Sequence, residues 1–227
     1  MESGIPPFRG KGGLWEKIDP MKYAHIDAYE QDPEAVWRVL FMELKDVLGK
    51  ARPNAGHHGL YHLEQMGILK TVITQNIDGL HQQAGSRDVI EFHGTFAFQR
   101  CMACGQKLDS KQVTLETLPP RCACGGVLRP DVIMFGEIIP MQDLQRSQML
   151  AATCDAMLVV GTSATVQPAA YLPVIAKRSG AAIVEINAEP TPLTVGISDV
   201  TLIGKAGEMM RELVAAVAKL SRDLEIK

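Results

Sequence analysis

The chain has no long hydrophobic run. Its 227 residues contain apolar stretches such as Ala156 to Gly161, which are far shorter than the roughly 20 residues of a membrane-spanning helix. The chain also does not open with the positively charged segment and apolar stretch of a secretory signal. We therefore expect a cytoplasmic protein without a membrane partner.

Clusters of basic residues are missing as well. Lys and Arg number 23 against 26 Asp and Glu, which gives a net charge of −3 and no footprint for a nucleic-acid duplex. With 46% hydrophobic and 22% charged residues, the composition is that of a globular protein and excludes a disordered, collagen-like or coiled-coil chain. We expect one domain with an insertion, acting as a monomer that does not bind nucleic acid directly.

Short β-branched runs alternate with helical patterns through much of the chain. Residues 32–50 predict a helix, because Asp32 is suited to cap it and Pro33 suits its first turn. The other predicted helices cover residues 55–65, 142–153, 168–179 and 206–222, and the predicted strands cover 68–74, 156–163, 181–187 and 200–204. The alternation predicts an α/β fold with a parallel, doubly wound sheet. Residues 95–130, rich in Cys, Gly and Pro, predict an inserted module.

Only five cysteines are present, too few for a disulfide scaffold of this size. Four of them form two close pairs beside glycines, Cys101 with Cys104 and Cys122 with Cys124. Four thiolates complete the tetrahedral shell of Zn²⁺ and leave no position for a catalytic water, so we expect one structural zinc ion. Two disulfides or four buried thiols are the alternatives, and the single-residue spacing of the second pair is irregular. The fifth cysteine, Cys154, is expected to be a small buried hydrophobe.

Polar residues follow three of the predicted strands, at the edge where open α/β sheets bind ligands. They are Thr74-Gln75-Asn76-Ile77-Asp78-Gly79-Leu80-His81, then Gly161-Thr162-Ser163, then Asn187-Ala188-Glu189. The first group suits a sugar or an amide, the second suits phosphate and the third suits a ribose hydroxyl. The first group alone is more often a capped turn, and the second alone is a weak signal for phosphate. Together the three groups predict a nucleotide site, although the chain has no G-x-G-x-x-G motif.

His93 lies between the predicted sheet and the cysteine module. Its imidazole, with an ordinary pKa of about 6.5, is suited to accept a proton at neutral pH, although a structural role is commoner for a histidine. The remaining histidines with no partner motif are expected at the surface or in packing: His25, His57, His58 and His62.

These motifs, in this order, resemble the sirtuins, a family of NAD-dependent protein lysine deacylases. The matching segments are ESGIPPFRG at 2–10, TQNIDGLH at 74–81, His93-Gly94, the four cysteines, RPDVIMFGE at 129–137, GTS at 161–163 and Ile186-Asn187. The resemblance implies a Rossmann-type sheet with helices on both faces, and a small module made of a helical part, residues 13–52, and a zinc ribbon, residues 95–130. It implies that NAD is consumed as a co-substrate and that acetylated proteins or peptides are the partners.

The resemblance also implies roles for individual residues. His93 is implied to be the general base that deprotonates a ribose hydroxyl. The implied NAD contacts are Phe8 and Arg9 in a mobile loop, Gln75, Asn76, Ile77 and Asp78 at the nicotinamide and its ribose, and Gly161, Thr162, Ser163, Asn187, Ala188, Glu189 and Ala206 at the phosphates and adenosine. The stretch implied to pair with the substrate backbone contains Val132, Phe135, Gly136 and Glu137. In the implied reaction the acyl-lysine oxygen attacks the ribose and expels nicotinamide, and O-acyl-ADP-ribose forms without a protein nucleophile.

The beginning of the chain departs from the family pattern. The family has a strand and a Gly-Ala-Gly-x-Ser stretch before ESGIP, and this chain begins where that stretch would end. Either the start is placed at an internal methionine, which we favour, or the chain is truncated and impaired. An impaired chain would be a zinc-containing module that binds acyl-lysine peptide or nucleotide without turnover. An ADP-ribosyltransferase on the same scaffold is a further alternative, and hydride transfer is the least favoured.

A second departure concerns the acyl group. The branch of the family that removes succinyl groups carries Tyr-x-x-Arg in the helix after the loop, where this chain has Leu40 and Glu43. Because these residues lie three apart on a predicted helix, we expect them on one face. The resemblance implies that this face lies at the far end of the acyl-lysine pocket. An acidic acyl group would meet apolar surface and a negative charge there, so we expect a strong preference for acetyl.

Overall fold

The computed structural model describes residues 2–8 and 12–225. The helices are α1 (Leu14–Lys17), α2 (Pro20–Tyr23), α3 (Ile26–Gln31), α4 (Pro33–Val36), α5 (Met42–Lys50), α6 (Ala55–Gln65), α7 (Leu80–Ala84), α8 (Met141–Thr153), α9 (Leu172–Arg178), α10 (Pro192–Gly196) and α11 (Ala206–Glu225). The strands are β1 (Val72–Thr74), β2 (Val89–Glu91), β3 (Gly94–Cys101), β4 (Lys107–Asp109), β5 (Leu128–Val132), β6 (Ala156–Val160), β7 (Ala182–Asn187) and β8 (Val200–Ile203).

The chain divides into two compact units. The first unit comprises Met1–Arg52, Thr74–Leu80 and His93–Ile139. The second unit comprises Pro53–Ile73, His81–Phe92 and Pro140–Lys227.

Short helices, α1 to α5, form the helical part of the first unit. Asp32 caps α4, because its Oδ1 accepts from the N–H of Ala35 at 3.0 Å, and Pro33 occupies the first turn, as the sequence predicted. Between α4 and α5, Trp37–Phe41 is a π-helical turn in which the N–H of Met42 bonds to the carbonyl of Trp37. The buried side chains of this stretch form part of one core: Val36, Trp37, Leu40, Phe41 and Leu44.

The π-helical turn contradicts one expectation from helical spacing. Leu40 is 3% exposed and packs in the core, whereas Glu43 is exposed. Residues three apart share a face of a regular α-helix, but a π-helical turn contains an additional residue and rotates the later side chains about the axis. The prediction that Leu40 and Glu43 line one surface is therefore wrong.

An antiparallel sheet in the order β4-β3-β5 carries the cysteine module of the first unit. β3 pairs with β5 from Gly94 opposite Val132 to Cys101 opposite Leu128. The Nε1 of Trp37 donates to the carbonyl of Leu128 at 3.0 Å, so the helical part and the sheet are joined by a buried hydrogen bond. This bond connects residues that lie far apart in the sequence.

A parallel sheet in the order β6-β7-β8 forms the centre of the second unit. Helix α9 contacts β6 and β7, and α11 contacts β7 and α6, so the predicted alternation of strands and helices is confirmed here. β1 and β2 form a separate two-stranded sheet. Within residues 2–8 and 12–225 no strand pairing joins the two sheets, so β6 is an edge strand and only its Val159 is buried.

Helix α6 has the bounds that the sequence predicted. Asn54 caps it, with Oδ1 accepting from Gly56 at 2.8 Å, and the Nδ1 of His57 accepts in turn from the N–H of Asn54 at 3.2 Å. In the part of the chain given above, no helix is long and apolar enough to cross a membrane.

Candidate functional site

The four cysteines of the first unit bring their sulfur atoms together. The Sγ atoms of Cys101, Cys104, Cys122 and Cys124 all lie within 4.8 Å of one another. Cys101 and Cys124 are 3.5 Å apart, and Cys104 and Cys122 are 3.9 Å apart, so these are free thiols and not disulfides. Four sulfurs at a Zn–S distance of about 2.3 Å lie about 3.8 Å apart in a tetrahedron. The cluster fits that geometry.

The backbone around the cluster favours metal binding. A Cβ on Gly126 would lie 2.7 Å from the Sγ of Cys101 and 2.6 Å from the Cβ of Ala103, so the loop can close only with glycine there. The N–H groups of Cys104 and Ala103 point at the Cys101 sulfur and lower the pKa of this thiol to about 6. The thiolate is the form that binds zinc. These residues therefore fit a zinc ion with four protein ligands and no open position.

His93 lies directly before β3, and its ring is held by the backbone of Gln75. The Nδ1 of His93 is 3.2 Å from the carbonyl oxygen of Gln75. Because a carbonyl only accepts, we assign the ring proton to Nδ1, and Nε2 then carries the lone pair. Burial lowers the pKa of His93, and the bond to Gln75 opposes this in part. The imidazole is therefore neutral at pH 7.

Gly94 sets the backbone next to His93. Its φ is +75°, and a Cβ at this position would lie 2.2 Å from the carbonyl oxygen of Asp131. Only glycine allows β3 and β5 to approach so closely here. The carbonyl of His93 accepts from the N–H of Ile133 at 2.9 Å. The ring and the backbone of His93 are thus held by two separate segments.

The polar segment after β1 folds through its own side chains. The Oγ1 of Thr74 accepts from the N–H of Asn76 at 3.1 Å, and the Oδ1 of Asp78 caps α7 by accepting from its first N–H at 2.9 Å. Ile77 packs against the buried core of the first unit, while the side chain of Asn76 is exposed. The segment is a capped turn that also places Gln75 beside His93.

Three aromatic rings form a row in the first unit. The rings of Phe8 and Trp15 have centroids 5.3 Å apart, and those of Trp15 and Phe135 are 6.3 Å apart. The row therefore joins one residue of the expected cofactor loop to one of the expected substrate stretch. Arg9, predicted to act with Phe8, lies outside the described residues.

The expected substrate stretch is held mainly by this chain itself. Val132 is buried and pairs with Gly94. The N–H of Phe135 donates to Ala24 at 2.9 Å, and its carbonyl accepts from Ile26 at 2.9 Å. The side chain of Phe135 is 37% exposed. A substrate backbone could therefore pair only with N–H and carbonyl groups of this stretch that do not take part in these hydrogen bonds.

Gly136 and Glu137 are also held by contacts within the first unit. A Cβ on Gly136, which has φ +85°, would lie 2.7 Å from the ring of His25. Glu137 forms an ion pair with Arg129, and its Oε2 accepts from the N–H of Met134 at 2.8 Å. Arg129 is fully buried, and its Nη1 donates to the carbonyl of Val132 at 3.0 Å. The pairing of Glu137 with Arg129 was not foreseen from the sequence.

In the second unit, polar residues follow the carboxyl ends of β6 and β7. The N–H of Gly161, which has φ +60°, donates to the carbonyl of Ile186 at 2.9 Å. The Nδ2 of Asn187 donates to the carbonyl of Thr162 at 3.0 Å, so the structure brings these two predicted nucleotide contacts together. The Oγ of Ser163 is 2.9 Å from the Oγ1 of Thr165. This edge is the ligand-binding edge of open α/β sheets.

The other predicted contacts of this edge lie near its third strand. Ala188 and Glu189 are exposed and follow Asn187 directly. The carbonyl of Asn187 accepts from the N–H of Gly204 at 2.9 Å, and Ala206 begins α11 two residues later. The loops after β6, β7 and β8 therefore meet at one edge of the sheet.

Two buried polar groups of the second unit were missed by sequence reasoning. Glu185, inside the apolar run of β7, is 1% exposed and accepts hydrogen bonds from three hydroxyl groups. A charged residue within an otherwise apolar strand was the available signal. His81 is buried with its ring centroid 4.8 Å from that of His57, and nothing in the sequence pairs these two residues.

Comparisons with known proteins agree with the motifs. A model of the Sir2 family matches residues 1–168. The NAD-dependent protein deacylase 2 of Pyrobaculum aerophilum is 48% identical over 224 residues, which are 97% of this chain and 88% of that protein.

Solved structures show the same relationship. A mutant Sir2 homologue in complex with ADP-ribose is 45% identical with a TM-score of 0.92, over 100% of this chain and 89% of that one. A Sir2 mutant with a deacetylated p53 peptide and 3'-O-acetyl ADP-ribose is 34% identical with a TM-score of 0.85, over 94% of this chain and 87% of that one. The fold class expected from the sequence is confirmed, and the chain belongs to the Sir2 family.

Proposed function

We propose that this chain uses NAD to remove acetyl and related acyl groups from protein lysines, giving nicotinamide and O-acyl-ADP-ribose. Membership of the Sir2 family supports the reaction class, since similar proteins are named NAD-dependent protein deacylases. The observation that carries the proposal is the neutral His93 held by Gln75 at 3.2 Å. Acetylated proteins or peptides are the proposed partners.

His93 is the proposed general base. A ring that is neutral at pH 7, with its proton on Nδ1, presents Nε2 as a proton acceptor. Its role is to accept a proton from a ribose hydroxyl of NAD. Gln75 keeps the ring in this tautomer, and Asn76 and Asp78 lie in the same segment, where they are proposed to position the nicotinamide and its ribose. No side chain acts as a covalent nucleophile.

The second unit provides the proposed contacts to the rest of NAD. Gly161, Thr162 and Ser163 present a small-residue turn after β6, which suits phosphate. The segment from Asn187, together with the start of α11, suits the adenosine half. The proposed substrate contact is the exposed side of Phe135, and we propose that Val132, Gly136 and Glu137 shape its stretch.

The proposed zinc ion stabilises the first unit and takes no part in the reaction. Its four ligands would be Cys101, Cys104, Cys122 and Cys124, which leaves no position for water or substrate. We further propose that residues 95–130 form a zinc ribbon and 13–52 the helical part of one small module, with the remainder Rossmann-type. A cytoplasmic monomer that does not bind nucleic acid directly is proposed from composition and charge.

The decisive experiment measures nicotinamide release from NAD in the presence of an acetylated peptide. We expect turnover by the unaltered chain and a loss of at least about a hundredfold in His93→Ala, the range for a general base. His58→Ala, a change at an exposed histidine, is the matched control and should keep full activity. Full activity in His93→Ala would contradict the assigned base. Binding of ADP-ribose without any nicotinamide release would contradict the enzyme itself.

A further inference from the structure

Glu185 is a buried carboxylate close to the strand end that carries Asn187. Its Oε1 accepts from the hydroxyl of Thr191, and its Oε2 accepts from Thr194 at 2.9 Å and from Ser198 at 2.8 Å. A buried charge is strongly unfavourable unless hydrogen bonds compensate for the lost water. Here three hydroxyl groups provide that compensation, so the carboxylate and its donors must stay together.

All three donors belong to the segment that follows β7. Thr191 is the N-cap of α10 and forms a capping box with Thr194. The Oγ1 of Thr191 accepts from the N–H of Leu193 at 3.1 Å, and the Oγ1 of Thr194 accepts from the N–H of Thr191 at 2.9 Å. Ser198 lies just beyond the end of α10. A single side chain in the sheet therefore holds both ends of this helix.

Glu185 and Asn187 lie on the same side of β7, because side chains alternate along a strand. Asn187 holds the turn after β6 through the carbonyl of Thr162 at 3.0 Å. Glu185 holds the segment from Thr191 to Ser198 by accepting hydrogen bonds from these two residues. Between these two anchors only residues 188–190 lead away from the strand, and all three are exposed.

The carboxylate of Glu185 is charged under working conditions. Burial alone would raise the pKa of Glu185, but the hydroxyl groups of Thr191, Ser198 and Thr194 outweigh this effect and lower it. Hydrogen bonds to an ionised acceptor are about twice as strong as those between neutral groups. Replacing the carboxylate by an amide should therefore loosen α10 without emptying the site.

We propose that Glu185 is a positioning residue for the nucleotide, which sets the path of residues 188–190 without touching NAD. The inference rests on the proposed function, in which this edge binds the adenosine half of NAD. The inference predicts that a change at Glu185 alters nucleotide affinity with little effect on the chemical step, because His93 and Gln75, which holds its ring, belong to other segments.

The test compares Glu185→Gln with Glu212→Gln, the same change at an exposed position of α11. Calorimetry gives the Kd for ADP-ribose, and kinetics give the KM for NAD, the KM for acetylated peptide and kcat. In Glu185→Gln we expect the Kd and the KM for NAD to rise about tenfold, while kcat and the peptide KM stay within about twofold. Glu212→Gln should match the unaltered chain.

Thr194 provides a finer comparison. Thr194→Ser keeps the hydroxyl and should keep nucleotide affinity, whereas Thr194→Val removes it and should raise the Kd about threefold. Ser198→Ala, which removes one donor at the far end of α10, covers the case in which Glu185→Gln does not fold. Hydrogen exchange of residues 188–198 should be faster in each weakened variant.

The outcomes separate this inference from the proposed function. An unchanged Kd for ADP-ribose in folded Glu185→Gln would overturn the positioning role. If Glu185→Gln does not fold, an unchanged Kd in Ser198→Ala would overturn it. A fall in kcat equal to the change in NAD affinity would also overturn it. Weaker ADP-ribose binding in the variants, with no turnover by the unaltered chain, would contradict the proposed function and support the inference. An unaltered chain that does not bind ADP-ribose would overturn both.

Discussion

Acid should destabilise the second unit through His81. The imidazole is buried, and its Nδ1 has no hydrogen-bond partner among the described residues. The ring of His57 lies 4.8 Å away, centroid to centroid. Burial, and to a smaller extent the neighbouring His57, lower the pKa of His81 to about 4. Protonation of His81 is therefore less favourable in the folded chain than in the unfolded chain.

The size of the effect follows from the two pKa values. Above pH 6.5, the ordinary pKa of histidine, His81 is neutral in both states and costs no stability. As the pH falls from 6.5 towards about 4, only the unfolded chain binds the proton, so each pH unit removes about 1.4 kcal/mol from the free energy of unfolding. The total loss is about 3 kcal/mol, a large share of a typical stability of about 5–15 kcal/mol.

Urea unfolding at about pH 7.5, 6 and 5 would measure this loss. Between pH 7.5 and 5 we expect His81→Gln to lose about 2 kcal/mol less than the unaltered chain, whatever its stability at neutral pH. Protonation of the cysteine cluster affects both proteins alike and cancels in the difference. His57→Gln is the matched control, because glutamine at this position can still complete the capping box with Asn54.

The control should lose slightly less stability than the unaltered chain, since it removes only the smaller cause of the pKa shift. Parallel pH dependence of the unaltered chain and His81→Gln would refute the reasoning. A protonated His81 in the folded protein, observed by NMR at pH 5.5 or above, would refute it as well.

Three further predictions concern the first unit. Cys124→Ser should lower the Tm and the zinc content together, because metal binding contributes folding energy. A metal-free protein with an unchanged Tm would exclude a structural role for zinc. Gly94→Ala should cost about 2 kcal/mol or more of stability and reduce kcat, since the Cβ of the alanine would collide with the carbonyl of Asp131. Denaturation and kinetics measure the two effects, and unchanged stability and kcat would mean that β3 and β5 can shift apart. Leu40→Tyr should cost about 1–3 kcal/mol by overpacking, because Leu40 faces the core; urea unfolding measures this cost, and unchanged stability would contradict the packing.

Local patterns were sufficient for several features of this protein. The order of motifs identified the family, and with it the fold class, since each motif is a short continuous stretch. The helix Ala55–Gln65 and the cap at Asp32 were predicted because their signals lie within one turn of the helix end. Cysteine spacing predicted the sulfur cluster, because two close pairs need only one approach between chain segments.

Packing between distant segments settled the rest. The direction in which the side chain of Leu40 points depends on a π-helical turn. This turn places Leu40 in the same core as Trp37. The carboxylate of Glu137 pairs with a buried arginine. The pKa of His81 depends on burial and on His57, which lies more than twenty residues earlier in the sequence. The burial of a side chain, and the hydrogen bonds or ion pairs that offset the cost of burying it, depend on residues that are close in space. The residue type and its neighbours in sequence do not specify them, so these features could be found only in the folded chain.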